Sequence, residues 1–182
     1  MSATANRRRA VIALVAVIAG AALVWLLFVK DDDGGSDGST AAQKTVTIYS
    51  AAELPDAAAS AGQPVYWLGP RPGDRYELTV ISDGRAYVRY LPQGVPAESG
   101  QAYTTVGSYV FEDPVSELEK LGRRPGSHTF SVPGGGVGMA TGSQTPNVYA
   151  AYPDQAVEIE VFDPQAGAAE QSVKRGELRP IR

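Results

Sequence analysis

The sequence predicts an α+β protein: one transmembrane helix at the N-terminus, followed by a small domain of mostly antiparallel sheet with about three short helices. Three observations predict it. Residues 10–29 carry no charge, residues 44–182 are divided into short apolar segments of strand length, and three further segments start at a proline and stop at a glycine. The chain is therefore divided into 1–9, 10–29, 30–43 and 44–182.

Residues 10–29 form the predicted membrane span. At about 1.5 Å per residue, a helix of this length crosses the hydrocarbon core of a bilayer, which is about 30 Å thick. Arginines stand at 7–9, whereas Lys30 and the acidic block 31–33 follow the span. The positive-inside rule keeps residues 1–9 in the cytoplasm and places the C-terminal domain outside. We expect a single-pass protein of the cell membrane that contacts the lipid bilayer through residues 10–29.

A cleaved signal peptide is the alternative for this segment. Ala19, Gly20 and Ala21 offer a small-residue cleavage site within the apolar stretch. Cleavage there would leave Trp25 and Phe28 near the new N-terminus as an exposed apolar stub. An uncleaved signal anchor accounts for Trp25 better, because indole rings favour the membrane interface.

Composition separates a linker from the folded domain. Residues 30–43 are mainly Asp, Gly, Ser and Thr, which cannot bury a core, so we predict a disordered, flexible linker. The acids at 31–33 fit its solvated start better than a metal site. The net charge of −4 argues against nucleic acid as a partner, and the lack of cysteine excludes disulfides and thiol catalysis.

Apolar runs and turn residues predict the elements of the domain. Asp83 and Gly84 form the clearest turn, a two-residue hairpin connection that would place Leu78 opposite Arg89. The predicted strands are 44–49, 64–68, 75–82, 85–91, 103–110, 127–132, 147–152, 156–162 and 178–181, and the predicted helices are 55–61, 114–121 and 164–175.

The order of strand, proline-started helix, strand and hairpin occurs twice, in 44–91 and again in 103–162. Two strand-helix-strand-hairpin repeats are therefore a hypothesis for this domain. The alternative is one irregular α+β sheet with helices on one face.

Few residues could carry chemistry, and we predict no catalytic group, metal site or cofactor. His128 is the single histidine and lies on a predicted strand, where a structural role is the ordinary one. Zinc catalysis needs about three protein ligands, and this sequence cannot supply two histidines for them. A serine nucleophile is not indicated either, because no G-x-S-x-G motif occurs. Glu158 and Glu160 share one face of a strand, as the paired carboxylates of glycosidases can. Because Val157 and Ile159 alternate with them, we expect both glutamates to face water.

The segment 133–138 contains three consecutive glycines. It lacks the lysine of a phosphate loop and the third glycine of a dinucleotide fingerprint. We predict a flexible loop between two strands, with a mobile flap over a ligand as the alternative.

Basic and aromatic residues gather around the predicted hairpin and form the candidate ligand site. Guanidinium groups beside aromatic rings suit an anionic or sugar-bearing ligand of the cell envelope. The alternative is structural, because tyrosine and arginine suit half-buried strands and their stems cover apolar surface. The candidate binding residues are Arg71, Arg75, Arg85, Arg89, Trp67 and Tyr87, with Tyr66, Tyr76 and Tyr90 beside them.

Four short runs of the domain are distinctive. They are YWLGP at 66–70, DGR at 83–85 followed by YVRYLP at 87–92, VY at 148–149 followed by YP at 152–153, and VFDP at 161–164. In these runs the chain resembles signal-anchored, exported proteins of high-GC Gram-positive bacteria, a family with no assigned activity. The resemblance implies the anchored, outward-facing topology and transfers no site residues.

The sequence thus favours a binding or assembly module at the cell envelope, with a cell-wall component or a membrane protein as partner. One alternative is an envelope enzyme with an atypical site, which requires Arg, Tyr and acidic side chains to converge in a deep pocket. The other is a structural partner of a membrane protein, which requires an exposed apolar patch.

Overall fold

A computed structural model describes residues 42–182 of the chain. The predicted span 10–29 and the linker up to residue 41 lie outside the described residues. Within 42–182, no helix combines the length and the apolar character needed to cross a membrane.

Within residues 42–182, ten strands build an eight-stranded sheet and a separate two-stranded ribbon. They are β1 (Lys44–Tyr49), β2 (Tyr66–Trp67), β3 (Asp74–Ile81), β4 (Arg85–Pro92), β5 (Thr105–Val110), β6 (Ser127–Val132), β7 (Gly136–Thr141), β8 (Asn147–Ala151), β9 (Val157–Phe162) and β10 (Arg179–Pro180). The order across the sheet is β1-β3-β4-β5-β9-β8-β7-β6, with every pair antiparallel. The strands β2 and β10 form the ribbon.

Three helices complete the described domain: α1 (Leu54–Ala59), α2 (Pro114–Gly122) and α3 (Ala168–Lys174). The side chain of Asp113 caps α2 by accepting from the Ser116 N–H at 3.4 Å, and Pro114 stands in the first turn, as predicted. The α+β class, with a mostly antiparallel sheet and three helices, is confirmed for the described residues.

The helices cover both faces of the sheet rather than one. Face A holds the main core, in which α1, α3 and the ribbon pack against strand residues that include Leu78, Val88 and Ile159. Face B receives α2, which contacts β6, β7 and β8. The buried side chains Leu118 and Leu121 of α2 lie outside the face A core.

The β3–β4 hairpin turns through three residues rather than two. Gly84 donates its N–H to the Ile81 carbonyl at 3.2 Å and adopts a φ of 91°. A type I turn closed by a left-handed glycine has this form. The extra residue shifts the register by one, so Arg89 pairs with Glu77 and not with Leu78 as predicted.

Strand β7 occupies a stretch for which the sequence predicts a flexible loop or a flap. Only the first part of 133–138 is a turn, because β7 begins at Gly136 and pairs with β6. Glycine weakens a strand pattern in sequence. Here Gly138 leaves room for the ring of Phe130 on the neighbouring strand. The predictions of a loop and of a flap are wrong for 136–138.

The two predicted repeats share an element order but not a pairing pattern. In the first, β1 pairs with β3, which is the first strand of the hairpin. In the second, β5 pairs with β9, the last strand of the meander that begins at β6. The pairing describes one irregular sheet and does not support a duplication.

Candidate functional site

The six candidate binding residues do not meet at one place. On face A, Trp67 packs edge-to-face against Tyr76, and the Arg71 guanidinium lies over the ring of Tyr90. The other four stand on face B, because alternate residues of β3 and β4 point to opposite faces. These four are Arg75, Arg85, Tyr87 and Arg89.

Arg75 and Arg85 lie at opposite ends of the β3–β4 hairpin. Arg85 forms an ion pair with Asp83 at 2.6 Å, and their hydrogen bonds raise the pKa of Arg85 and lower the pKa of Asp83. Arg75 donates through Nε to the Tyr49 carbonyl at 3.2 Å. The two guanidinium groups therefore do not act on a common ligand.

Arg89 and Tyr87 are buried on face B. Arg89 is 2% exposed, and its Nη1 donates to Glu77 Oε1 at 2.8 Å. The Tyr87 ring packs edge-to-face against Tyr109, with 5.8 Å between the ring centroids. A ligand could reach either side chain only by displacing these contacts.

An open cleft at the β2–β10 ribbon includes one of the predicted residues. Its volume is about 400 Å³ and it is lined by Trp67, Arg179, Pro180 and Arg182; we call it the arginine–tryptophan cleft. Arg179 pairs with Trp67 across the ribbon, and its Cζ lies 5.8 Å from the centroid of the Trp67 ring. Gly69, with a φ of 81°, leaves the space that this guanidinium occupies, since a Cβ there would collide with it.

Two tyrosine hydroxyls hold the chain beside the cleft. Tyr90 Oη accepts from the Leu68 N–H at 2.6 Å and donates to the Gly69 carbonyl at 3.1 Å. Tyr76 Oη accepts from the Arg71 N–H at 2.7 Å. Burial raises the pKa of Tyr90, so its phenol stays protonated and keeps donating. The loop that follows Trp67 is thus fixed before any ligand binds.

Two arginines that line the cleft carry charge that no ion pair balances within the described residues. Within residues 42–182, neither Arg179 nor Arg182 takes part in an ion pair. Arg71 stands beside the cleft, with its Cζ 4.6 Å from the Tyr90 ring centroid. An anionic group is the ligand that this charge favours.

Arg179 and Arg182 are not among the predicted site residues. The predicted strand 178–181 contains one and adjoins the other, but no local pattern indicates which strand it pairs with. The pairing of Arg179 with Trp67 brings together residues from distant parts of the chain. A contact of that kind becomes visible only in the folded domain.

Glu158 and Glu160 of β9 are buried, so the prediction that they face water is wrong. They are 6% and 1% exposed. Glu160 accepts hydrogen bonds from the Tyr109 hydroxyl at 2.7 Å, the Asn147 amide at 3.0 Å and the Tyr149 hydroxyl at 3.4 Å. Because both faces are covered at β9, alternation along this strand does not separate inside from outside.

Glu158 has no such donors. Its Oε2 is buried without a hydrogen-bond partner, and the same holds for Oε1 of Glu117 on α2. Burial, together with the charges of Glu160 and Glu117, raises the pKa of Glu158 to about 7.

His128 lies on the edge strand β6 beside α3. Its Nε2 is 3.3 Å from Oε1 of Glu170, which also forms an ion pair with Lys174. In the part of the chain that the structure describes, no three His, Asp or Glu side chains are grouped so that they could hold a metal ion.

No protein-family model, curated protein or solved structure matches the chain. The resemblance to signal-anchored exported proteins stays a prediction from the sequence.

Proposed function

We propose that the chain is a single-pass membrane protein whose domain outside the membrane binds an anionic component of the cell envelope in the arginine–tryptophan cleft. Arg179 and Arg182 support the proposal most directly. They line an open cleft beside Trp67 and have no ion pair within the described residues.

The chemistry of the cleft suits a phosphate or carboxylate group. A guanidinium is a planar fork that donates two parallel hydrogen bonds to either anion. Arg179 is already positioned by the Trp67 ring and by the space over Gly69, which lowers the entropy lost on binding. Pro180 and the small exposed part of Trp67, which is 8% exposed, add apolar surface for the remainder of the ligand.

The anchored topology is the second half of the proposal. It rests on the uncharged stretch 10–29, the arginines at 7–9 and the acids at 31–33. A flexible linker over 30–43 would span roughly 20 Å and keep the domain near the membrane surface.

The alternative of a structural partner receives less support. It expects an exposed apolar patch. Among residues 42–182, Val110, which is 59% exposed, is the only large apolar side chain that is freely exposed. A ligand-binding module agrees better with such a surface.

Trp67 provides the readout for an experiment, because the chain has two tryptophans and the other is Trp25. The full-length protein carrying Trp25→Phe, in a mild detergent, is titrated with poly(glycerol phosphate), with polygalacturonate and with neutral dextran. We expect a saturable change in Trp67 emission with one or both polyanions and none with dextran. Added salt should weaken the binding, because exposed charges are screened.

Two variants separate the cleft from charge in general. Arg179→Gln with Arg182→Gln should abolish the saturable change at an unchanged melting temperature. Arg123→Gln with Arg124→Gln removes the same charge from exposed positions far along the sequence and should leave the affinity within about twofold. Equal losses in both double variants, or no binding of either polyanion by the parent, would refute the proposal.

A further inference from the structure

Helix α2 docks on face B next to the acid that lacks donors. Leu118 and Leu121 provide the buried apolar contact with β6, β7 and β8. Glu117 precedes Leu118 on the helix, and its charge acts on Glu158 of β9. The helix–sheet contact therefore combines an apolar seam with two carboxyl groups.

Oxygen atoms on both sides of this contact are buried without partners: Oε1 of Glu117 and Oε2 of Glu158. An acceptor buried in this way loses its water and gains nothing in return. The loss is much larger when the group is ionised.

None of the groups that face Glu158 provides it with a positive charge. From the strands come Glu160 and the hydroxyls of Tyr109 and Tyr149, and these hydroxyls donate to Glu160. From α2 comes Glu117, whose ion-pair partner is Lys120, at 3.3 Å. The Lys120 side chain is 60% exposed, so its charge is largely solvated.

We propose that ionisation of Glu158 weakens the docking of α2 on the sheet, so that the contact between α2 and the sheet loosens as the surroundings become alkaline. Burial of the neutral acid between Glu160 and Glu117 costs less than burial of the ionised one. The ionised acid adds negative charge beside Glu160 and Glu117 and has no ion-pair partner of its own among residues 42–182, and movement of α2 away from the sheet admits water to it.

The size of the effect follows from proton linkage. The pKa of Glu158 is about 7 with α2 docked, and the ordinary value of 4.5 applies when water reaches the group. Between pH 6 and pH 8.5 these two values raise the undocked population by about tenfold.

Thiol labelling measures this population directly, because the chain contains no cysteine. Leu121→Cys places a thiol in the buried seam, and Glu119→Cys places one on the exposed side of the same helix. The full-length protein in detergent is treated with a maleimide at pH 6 and at pH 8.5. The measured quantity is the labelling rate at the seam cysteine divided by the labelling rate at the exposed cysteine. Ionisation of the thiol with pH affects both rates, so its effect cancels in this ratio.

We expect this ratio to rise about tenfold between the two pH values and to stay constant when Glu158→Gln is added. Glu112→Gln, which neutralises an exposed acid just before the helix, should keep the tenfold rise. Leu118→Cys serves as the seam site if Leu121→Cys does not fold. A ratio that is independent of pH, or one that rises equally with Glu158→Gln, overturns the proposal.

Discussion

Arg89 and Glu77 form an ion pair that is almost completely buried between β3 and β4. The distance from Nη1 to Oε1 is 2.8 Å, and the side chains are 2% and 0% exposed. The second carboxylate oxygen accepts from the Glu98 N–H at 2.5 Å, and Arg89 Nη2 donates to the Ser99 carbonyl at 2.6 Å. The pair therefore ties the loop after β4 to the hairpin.

Removal of one partner should cost more than removal of both. We expect Arg89→Met to lower the free energy of unfolding by about 3–5 kcal/mol, because the Glu77 carboxylate would remain buried without its cation. Glu77→Leu combined with Arg89→Met should recover part of this loss. A double-mutant cycle from denaturant unfolding measures the coupling, and additive losses would contradict the pairing.

The place of this hairpin is predictable from the sequence, but its register is not. Asp83 followed by Gly84 indicates a turn between two alternating segments, and the structure has one there. Two-residue and three-residue turns both favour glycine near the end, so the dipeptide does not give the loop length. The predicted register differs from the observed one by one residue and places Arg89 opposite Leu78 instead of Glu77. The buried ion pair is therefore not predicted from the sequence, and Arg89 is interpreted as a ligand-binding group.

Burial and long-range pairing explain the remaining differences. The strand 157–162 is predictable from Val157, Ile159 and Val161, which do lie in the face A core. That Glu158 and Glu160 are buried as well depends on what covers face B. The arginine–tryptophan cleft depends in the same way on the pairing of β2 with β10. The burial of the two glutamates and the pairing of β2 with β10 both depend on contacts between distant parts of the chain. Local propensity and periodicity therefore cannot predict them.

The stability of the domain should fall as the pH rises through the range in which Glu158 ionises. Its pKa is 4.5 in an unfolded chain and about 7 in the fold. Below pH 4.5 both states are protonated and the group contributes no pH dependence. Above about pH 7 the folded state carries the full penalty, on the order of 3 kcal/mol.

Glu158→Gln should remove this dependence. We expect the variant to exceed the parent in free energy of unfolding at pH 8 and to differ little from it at pH 5. Chemical unfolding at both pH values provides the measurement. Parallel pH profiles for parent and variant would show that Glu158 ionises normally in the fold.

Gly84→Val tests the turn of the hairpin. Gly84 has a φ of 91°, which a β-branched residue adopts only under strain, and its missing Cβ would lie 3.3 Å from Val110. We expect a loss of about 1–3 kcal/mol in thermal or denaturant unfolding. Gly100→Val is the matched control, because Gly100 has no positive φ and no atom within 4 Å of its Cβ position. Equal melting temperatures for both variants would mean that the turn is misplaced.

Gly69→Ala should weaken anion binding in the arginine–tryptophan cleft without a matching loss of fold. The new methyl group would occupy the space of the Arg179 guanidinium and push it from its place over Trp67. Gly73→Ala carries the same backbone strain, with a φ of 84°, but has nothing within 4 Å. Both variants should lose about 1–2 kcal/mol of stability, whereas only Gly69→Ala should lose the emission change of Trp67. Retention of binding in Gly69→Ala would remove Arg179 from the site.

The membrane topology rests on charge placement around residues 10–29, so exchange of that charge should alter it. A reporter that is active only outside the membrane, fused after Arg182, should be active with the parent sequence, because the arginines at 7–9 stay inside. Changing 7–9 to Asp and 31–33 to Arg should invert or scramble the orientation and lower the reporter signal.

Changing 31–33 alone to Asn is the control and should leave the signal high, because acidic residues contribute little to the positive-inside rule. Protease added to intact spheroplasts should release the C-terminal domain from the parent and from this control, and should release less of it from the charge-exchanged variant. Reporter activity in the cytoplasm with the parent sequence would refute both the orientation and a function at the envelope.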